Sequence, residues 1–101
     1  MGVANLALAV SAPAIQPALG PVELAARGIQ AIVTGVGAVT ATVNIEVSND
    51  NVNFLVLATI TLSGTTSATD GFASQAQWNF VRANVTAISG TSAAVTVLMS
   101  L

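Results

Sequence analysis

Residues 41–48 run Ala41, Thr42, Val43, Asn44, Ile45, Glu46, Val47, Ser48. Apolar and polar side chains alternate here without a break, and a period of two places one set on each face of a β-strand. Ala41, Val43, Ile45 and Val47 therefore face a core, while Thr40, Thr42, Asn44 and Glu46 face water. Ser48-Asn49-Asp50-Asn51-Val52-Asn53 ends the run with short polar side chains that bond their own backbone and tolerate tight turns. A second apolar run, residues 54–62, follows at once. Residues 38–62 thus predict a β-hairpin on which the rest of the chain must pack or pair.

The same alternation recurs on both sides. Residues 22–34 carry Leu24, Ala26, Ile29, Ala31 and Val33, with strand character firmest from Gly28, and Gly35-Val36-Gly37 predicts a turn back onto the strand that begins at Ala38. In residues 54–62 both faces are apolar: Phe54, Val56, Ala58, Ile60 and Leu62 lie on one, Leu55 and Leu57 on the other. That pattern predicts a central strand or one covered by a partner. Residues 63–75 read as a polar connection long enough to cross from one sheet to another. In residues 77–88, Val81, Ala83, Val85 and Ala87 alternate with Trp78, Phe80, Arg82, Asn84 and Thr86. After a turn at Ser89-Gly90-Thr91-Ser92, the set Ala93, Val95, Val97, Met99 and Leu101 shares one face. Short strands separated by Gly, Ser and Thr, with no helical period, predict an all-β antiparallel β-sandwich of jelly-roll or immunoglobulin-like kind over residues 22–101.

Residues 1–21 differ from the rest. They hold all three prolines and no charge, and proline fixes φ and removes a backbone donor. This predicts an extended N-terminal arm, with a short strand over residues 3–10. Its apolar side chains Val3, Leu6, Leu8, Val10, Ile15 and Leu19 set it apart from a solvated tail. Such an arm either lies on its own sheet or is laid across a neighbouring subunit. An apolar start followed by small residues resembles a signal peptide only superficially, because no basic residue precedes Arg27.

Composition narrows the function classes. Charged residues are 6% of the 101 residues, against about a quarter in ordinary soluble domains. Two arginines, no lysine and a formal net charge of −2 cannot build the basic footprint that nucleic acid requires, so no direct nucleic-acid partner is expected. No stretch offers the roughly 18 unbroken apolar residues of a membrane-spanning helix, and no membrane partner is expected. A small domain without cysteine and with little charge is expected to gain stability by assembly, as a homo-oligomer (dimer or trimer) or on a larger lattice.

Catalytic groups are almost absent from the sequence. With no His and no Cys there is no usual general base or thiol nucleophile, and serines without a base stay unreactive. The expectation is a protein that is not an enzyme, with no catalytic residues and no cofactor. The turn around Asp50 is rich in oxygen atoms, but one carboxylate and no bidentate Glu fit a hairpin closed by Asx side chains better than a calcium loop, so no metal is expected. Trp78, Phe80 and Arg82 alternate along one strand. Together they read either as a surface contact, for a partner or a sugar, or as two core aromatics with Arg82 paired to Glu46; the scarcity of aromatic residues favours the second.

Three stretches carry a family resemblance. They are Thr40-Ala41-Thr42-Val43-Asn44-Ile45-Glu46-Val47 leading into Ser48-Asn49-Asp50-Asn51-Val52-Asn53-Phe54; Ala58-Thr59-Ile60-Thr61-Leu62; and Trp78-Asn79-Phe80-Val81-Arg82-Ala83-Asn84-Val85 with Ile88-Ser89-Gly90-Thr91. Together they resemble a small β-sandwich of structural proteins from tailed bacteriophages, over residues 29–101. Asn51 stands where that family's SNDG-x-NW turn has Gly, and Phe54 where it has Trp. The resemblance implies a virion component, and first of all a capsid decoration (cement) protein on the head surface, bound between subunits of the major capsid protein with the arm clamping neighbours. The alternative it implies is a tail, neck or fibre module that binds other virion proteins or a glycan, through Trp78 or residues 65–72.

Overall fold

A computed structural model describes residues 3–20, 27–74 and 78–100. Within them lie five strands: β1 (Val3–Val10), β2 (Ala14–Ile15), β3 (Arg27–Ser48), β4 (Leu55–Ser74) and β5 (Phe80–Ser100). The protein is all-β, and every pairing is antiparallel within one sheet ordered β1, β5, β3, β4, with β2 beside β5. The predicted residues 22–26, 75–77 and Leu101 lie outside the described residues.

Three strands run through the positions where the sequence predicts turns. Gly35-Val36-Gly37 lies inside β3, Ser89-Gly90-Thr91-Ser92 inside β5, and the expected connection over residues 63–74 is the second half of β4. The reason is ladder pairing. Folded back as a hairpin, the first half of β3 would pair with the second half, whereas in the continuous strand each half pairs with β4 on one side and β5 on the other. The glycines loosen the ladder without ending it, and the register slips between Thr34 and Ala38 against β4 and between Thr34 and Thr40 against β5.

These irregular rows let the sheet bend. A straight strand of the 22 residues of β3 would span about 70 Å at roughly 3.3 Å per residue; the longest dimension of the molecule is 39 Å. Positive φ angles mark the bend in all three strands: Gly37 at 74°, Thr66 at 63°, Gly90 at 125° and Ser92 at 54°. Doubling over brings Ile29, near the start of β3, and Val47, near its end, to the walls of one small cavity. The apolar faces of the two halves meet inside. Ile29, Ala31, Val33, Val95, Val97 and Met99 come from one half; Val39, Ala41, Val43, Ile45, Val47, Ile60, Leu62, Val81, Ala83 and Val85 come from the other.

Two bulges alter the predicted faces. Opposite Ile45 and Glu46 the register moves from Ala58 to Val56, so Leu57 turns inward against the core while Val56 points out. Opposite Thr42 and Val43 it moves from Ala87 to Val85, which exposes Ala87 and brings Ile88 against the core instead. Among the described residues β4 is an edge strand, so of the two expectations for residues 54–62, a central strand or one covered by a partner, the central position is not taken, and Leu55 and Val56 are each about half exposed, at 49% and 50%.

The N-terminal segment lies on its own chain. β1 pairs with the far half of β5, from Val3 opposite Ser100 to Val10 opposite Val95. β2 pairs with the near half, Ala14 opposite Val85, and Leu19 bridges to Val81. Ala9, in a left-handed conformation, marks the register shift just before Val10, and between Val10 and Ala14 the chain steps over the bend of β5 through Pro13. Of the two readings of the arm, this is the one in which it completes its own sheet, and Leu6 and Ala7 are buried in the core as a result.

Candidate functional site

The turn after β3 is closed by Asp50. Its Oδ1 accepts hydrogen bonds from the Ser48 hydroxyl at 2.7 Å, the Val52 N–H at 2.9 Å and the Asn53 N–H at 2.8 Å, and its Oδ2 accepts from the Asn53 side-chain amide at 2.8 Å. Ser48 Oγ in turn accepts from the N–H groups of Asp50 and Asn51. Donation by the Asn53 N–H first, and then by Ser48, Val52 and the Asn53 side chain, holds the Asp50 carboxyl well below the usual carboxylate range. An oxygen set already engaged in this way has little left to offer a cation. Among the described residues no group of three or more His, Cys, Asp or Glu side chains comes together. Asn51 has φ of 59°, so it takes the left-handed conformation for which the resembling turn uses glycine, and Asn tolerates it better than most residues.

A second cluster sits on the outer face of the sheet. Glu46 is opposite Arg82 on β5 and Val56 on β4, so the three side chains form a row across three strands. Arg82 Nε donates to Glu46 Oε1 at 2.6 Å, and Asn84 Nδ2 donates to Oε2 at 3.0 Å. The Arg82 guanidinium also lies 3.8 Å from the centre of the Phe54 ring, close enough for a cation–π contact. Of the two readings of Arg82, the pairing with Glu46 is the one present.

Of Trp78, Phe80 and Arg82, the last two share the outer face of β5, with buried Val81 between them and an unbroken register opposite Ser48 and Glu46, and Trp78 does not. Trp78 precedes β5 and is half-buried, lining the cavity between Ile29, Val47, Val81 and Met99. That cavity is about 20 Å³, room for a water molecule and no more. Phe80 is half-buried beside Gly20 of the N-terminal segment. Arg82 presents its group on the outer face against Phe54, which the alternation over residues 54–62 does not single out.

The arm residues divide in two. Leu6 is buried, and Val10 and Leu19 pack half-buried against the core. Val3, Leu8 and Ile15 are exposed, at 65%, 68% and 57%. Sequence reasoning groups all six as one apolar surface. Leu6 and Leu8 would share a face by strict alternation, and the register shifts of β1 separate them; Ile15 lies on β2 and Leu19 in a separate bridge to Val81. Comparison with protein-family models, with curated proteins and with solved structures finds no match for the chain.

Proposed function

We propose that this chain is a non-enzymatic structural protein of a tailed-bacteriophage virion. Its place is the head surface, as a decoration or cement protein that binds between major capsid subunits and to copies of itself. The doubled-over sheet is read as a β-sandwich of immunoglobulin-like or jelly-roll kind, in keeping with the resemblance in residues 29–101. The observation that carries the reading is the exposure of Val3 and Leu8 on β1, a strand that Leu6 and Ala7 anchor in the core, and of Ile15 on the neighbouring β2. Apolar side chains held outward on a fixed strand gain free energy by burial against a neighbour, at about 25 cal/mol per Å², and they pay little ordering entropy because the strand is already in place. The clamp of the arm is therefore its outward row, and Leu6, Val10 and Leu19 serve the fold.

The test is location and copy number in the phage whose genome encodes the chain. Immunogold labelling over the head, with hundreds of copies per particle, is the expected result. Particles that lack the protein altogether overturn the reading. A second reading, a tail, neck or fibre module with a glycan ligand, draws on the Phe54, Arg82, Glu46 and Asn84 cluster, since a planar guanidinium beside an aromatic face and an amide suits a sugar. Label confined to the tail with few copies, together with glycan binding lost in Arg82→Met, distinguishes it.

A further inference from the structure

The sheet has two open edges, and they differ. One is formed by β1 and β2, where Pro13, Pro17, the left-handed Ala9 and two register shifts break any regular ladder. The other is β4, which among the described residues pairs on one side only, with β3. From Ala58 to Thr65 it keeps an unbroken register, opposite Ile45 to Ala38. Natural edges are usually guarded by Lys, Pro, an inward charge or a covering segment. β4 has no Lys and no Pro, its one charged residue is Asp70, beyond the bend, and Leu55 and Val56 stand exposed at its start.

We propose that two copies of this chain pair edge to edge through β4, antiparallel about a two-fold axis at Thr61. The choice of a second copy rests on self-complementarity. Along residues 58–65, Thr59, Thr61, Ser63 and Thr65 are exposed, while Ile60 and Leu62 are buried. An antiparallel pair keeps apolar faces together only if outward residues meet outward residues, which requires one residue to face its own copy. With Thr61 opposite Thr61, Thr59 meets Ser63, Ile60 meets Leu62, and Ala58 meets Gly64. Each pair then joins like with like: hydroxyls outside, apolar groups inside and no charge anywhere. Cross-strand pairs of this kind stabilise a ladder, and the contact is isologous and closes at two copies. The alternative partner surface on this chain, the β1 and β2 edge, is excluded by its prolines and breaks.

The chain contains no cysteine, so a single introduced thiol reports only on contact between copies. Facing Cα atoms in an antiparallel pair lie about 4.5–5.5 Å apart, within the reach of a disulfide. Under mild oxidation, Thr61→Cys is expected to form a disulfide-linked dimer alone, whereas Thr59→Cys and Ser63→Cys cross-link to each other when mixed. Ala73→Cys, on the same edge beyond the bend, is the control and stays uncross-linked. Light scattering of the unmodified protein is expected to give twice the 10.0 kDa of one chain, falling to one chain in Thr61→Lys with its strand circular dichroism intact. A monomer at high micromolar concentration, a Thr61→Lys variant that stays dimeric, or cross-linking at Ala73→Cys as fast as at Thr61→Cys overturns the proposal. None of these outcomes bears on where in a particle the protein sits, so the virion reading stands or falls by its own test.

Discussion

Asp50 accepts four hydrogen bonds from three residues of its own turn, and all of them favour the ionised carboxylate. Its folded pKa lies below the unfolded value of about 3.9, so the stability it contributes is present above that value and is lost as the pH falls below it. Thermal melts of the parent protein are expected to drop between about pH 5 and pH 2, with a shallower drop in Asp50→Asn, whose melting temperature is lower at neutral pH. Chelator is expected to leave the melting temperature unchanged, because the Asp50 oxygens are already engaged by the Ser48 hydroxyl, the Asn53 side-chain amide and two backbone N–H groups. The left-handed Asn51 makes a separate prediction: Asn51→Ala costs about 1 kcal/mol, and Asn51→Gly costs less than Asn51→Ala, by denaturant titration. At Glu46, Arg82→Ala removes the closest partner of a nearly buried carboxylate. The expected loss is about 1–3 kcal/mol, larger than that of Glu46→Gln, which leaves no unpaired charge. These local arrangements were largely legible in sequence. A run of Ser, Asn and Asp predicts side chains that bond the backbone, and Arg82 had few carboxylates to choose from. The stacking of Phe54 was not legible, since it depends on where β4 comes to lie beside β3.

At the scale of elements, one strand holds its leucines in two settings. Leu6 of β1 is 3% exposed and Leu8 is 68% exposed, so mutation separates folding from the proposed binding. Leu6→Ala is expected to lose about 2–4 kcal/mol of stability through the cavity it leaves, while Leu8→Ser stays within about 0.5 kcal/mol of the parent and loses particle binding. Removing residues 1–20 therefore confounds the two effects, and outward substitutions at Val3, Leu8 and Ile15 are the informative test of the clamp. The bends predict differently. At Gly90 φ is 125°, and an added Cβ would meet the Ala38 carbonyl oxygen at 2.7 Å; Gly90→Val is expected to cost more than about 2 kcal/mol, or to abolish folding, from backbone strain and overpacking together. Turn chemistry misled here because glycine and serine serve a hairpin loop and a bulge equally well. Which of the two forms depends on whether the flanking segments find partners elsewhere, and β4 and β5 supply partners to both halves of β3.

For the whole molecule, most pairings join residues distant in sequence, such as Arg27 with Ser74 and Ile29 with Met99. Closing such loops before their contacts form is slow, and refolding followed by stopped-flow fluorescence of Trp78 is expected to fall in the millisecond-to-second range of non-local β proteins. Trp78 is a suitable reporter because it closes the cavity where the two ends of β3 meet. The sequence by itself determined the class of the protein and the sides of most strands. Alternation names Ile29, Ala31, Val33, Val43, Ile45, Val81, Val95 and Val97 as inward, and all are buried, because a period of two is a local property that pairing preserves. Tertiary structure alone decided that the strands continue through their glycines, that β4 is an edge, and that the arm's apolar residues split between core and surface. Those outcomes depend on which distant segments compete for the same backbone hydrogen bonds, and that competition is settled only when the whole sheet closes over its core.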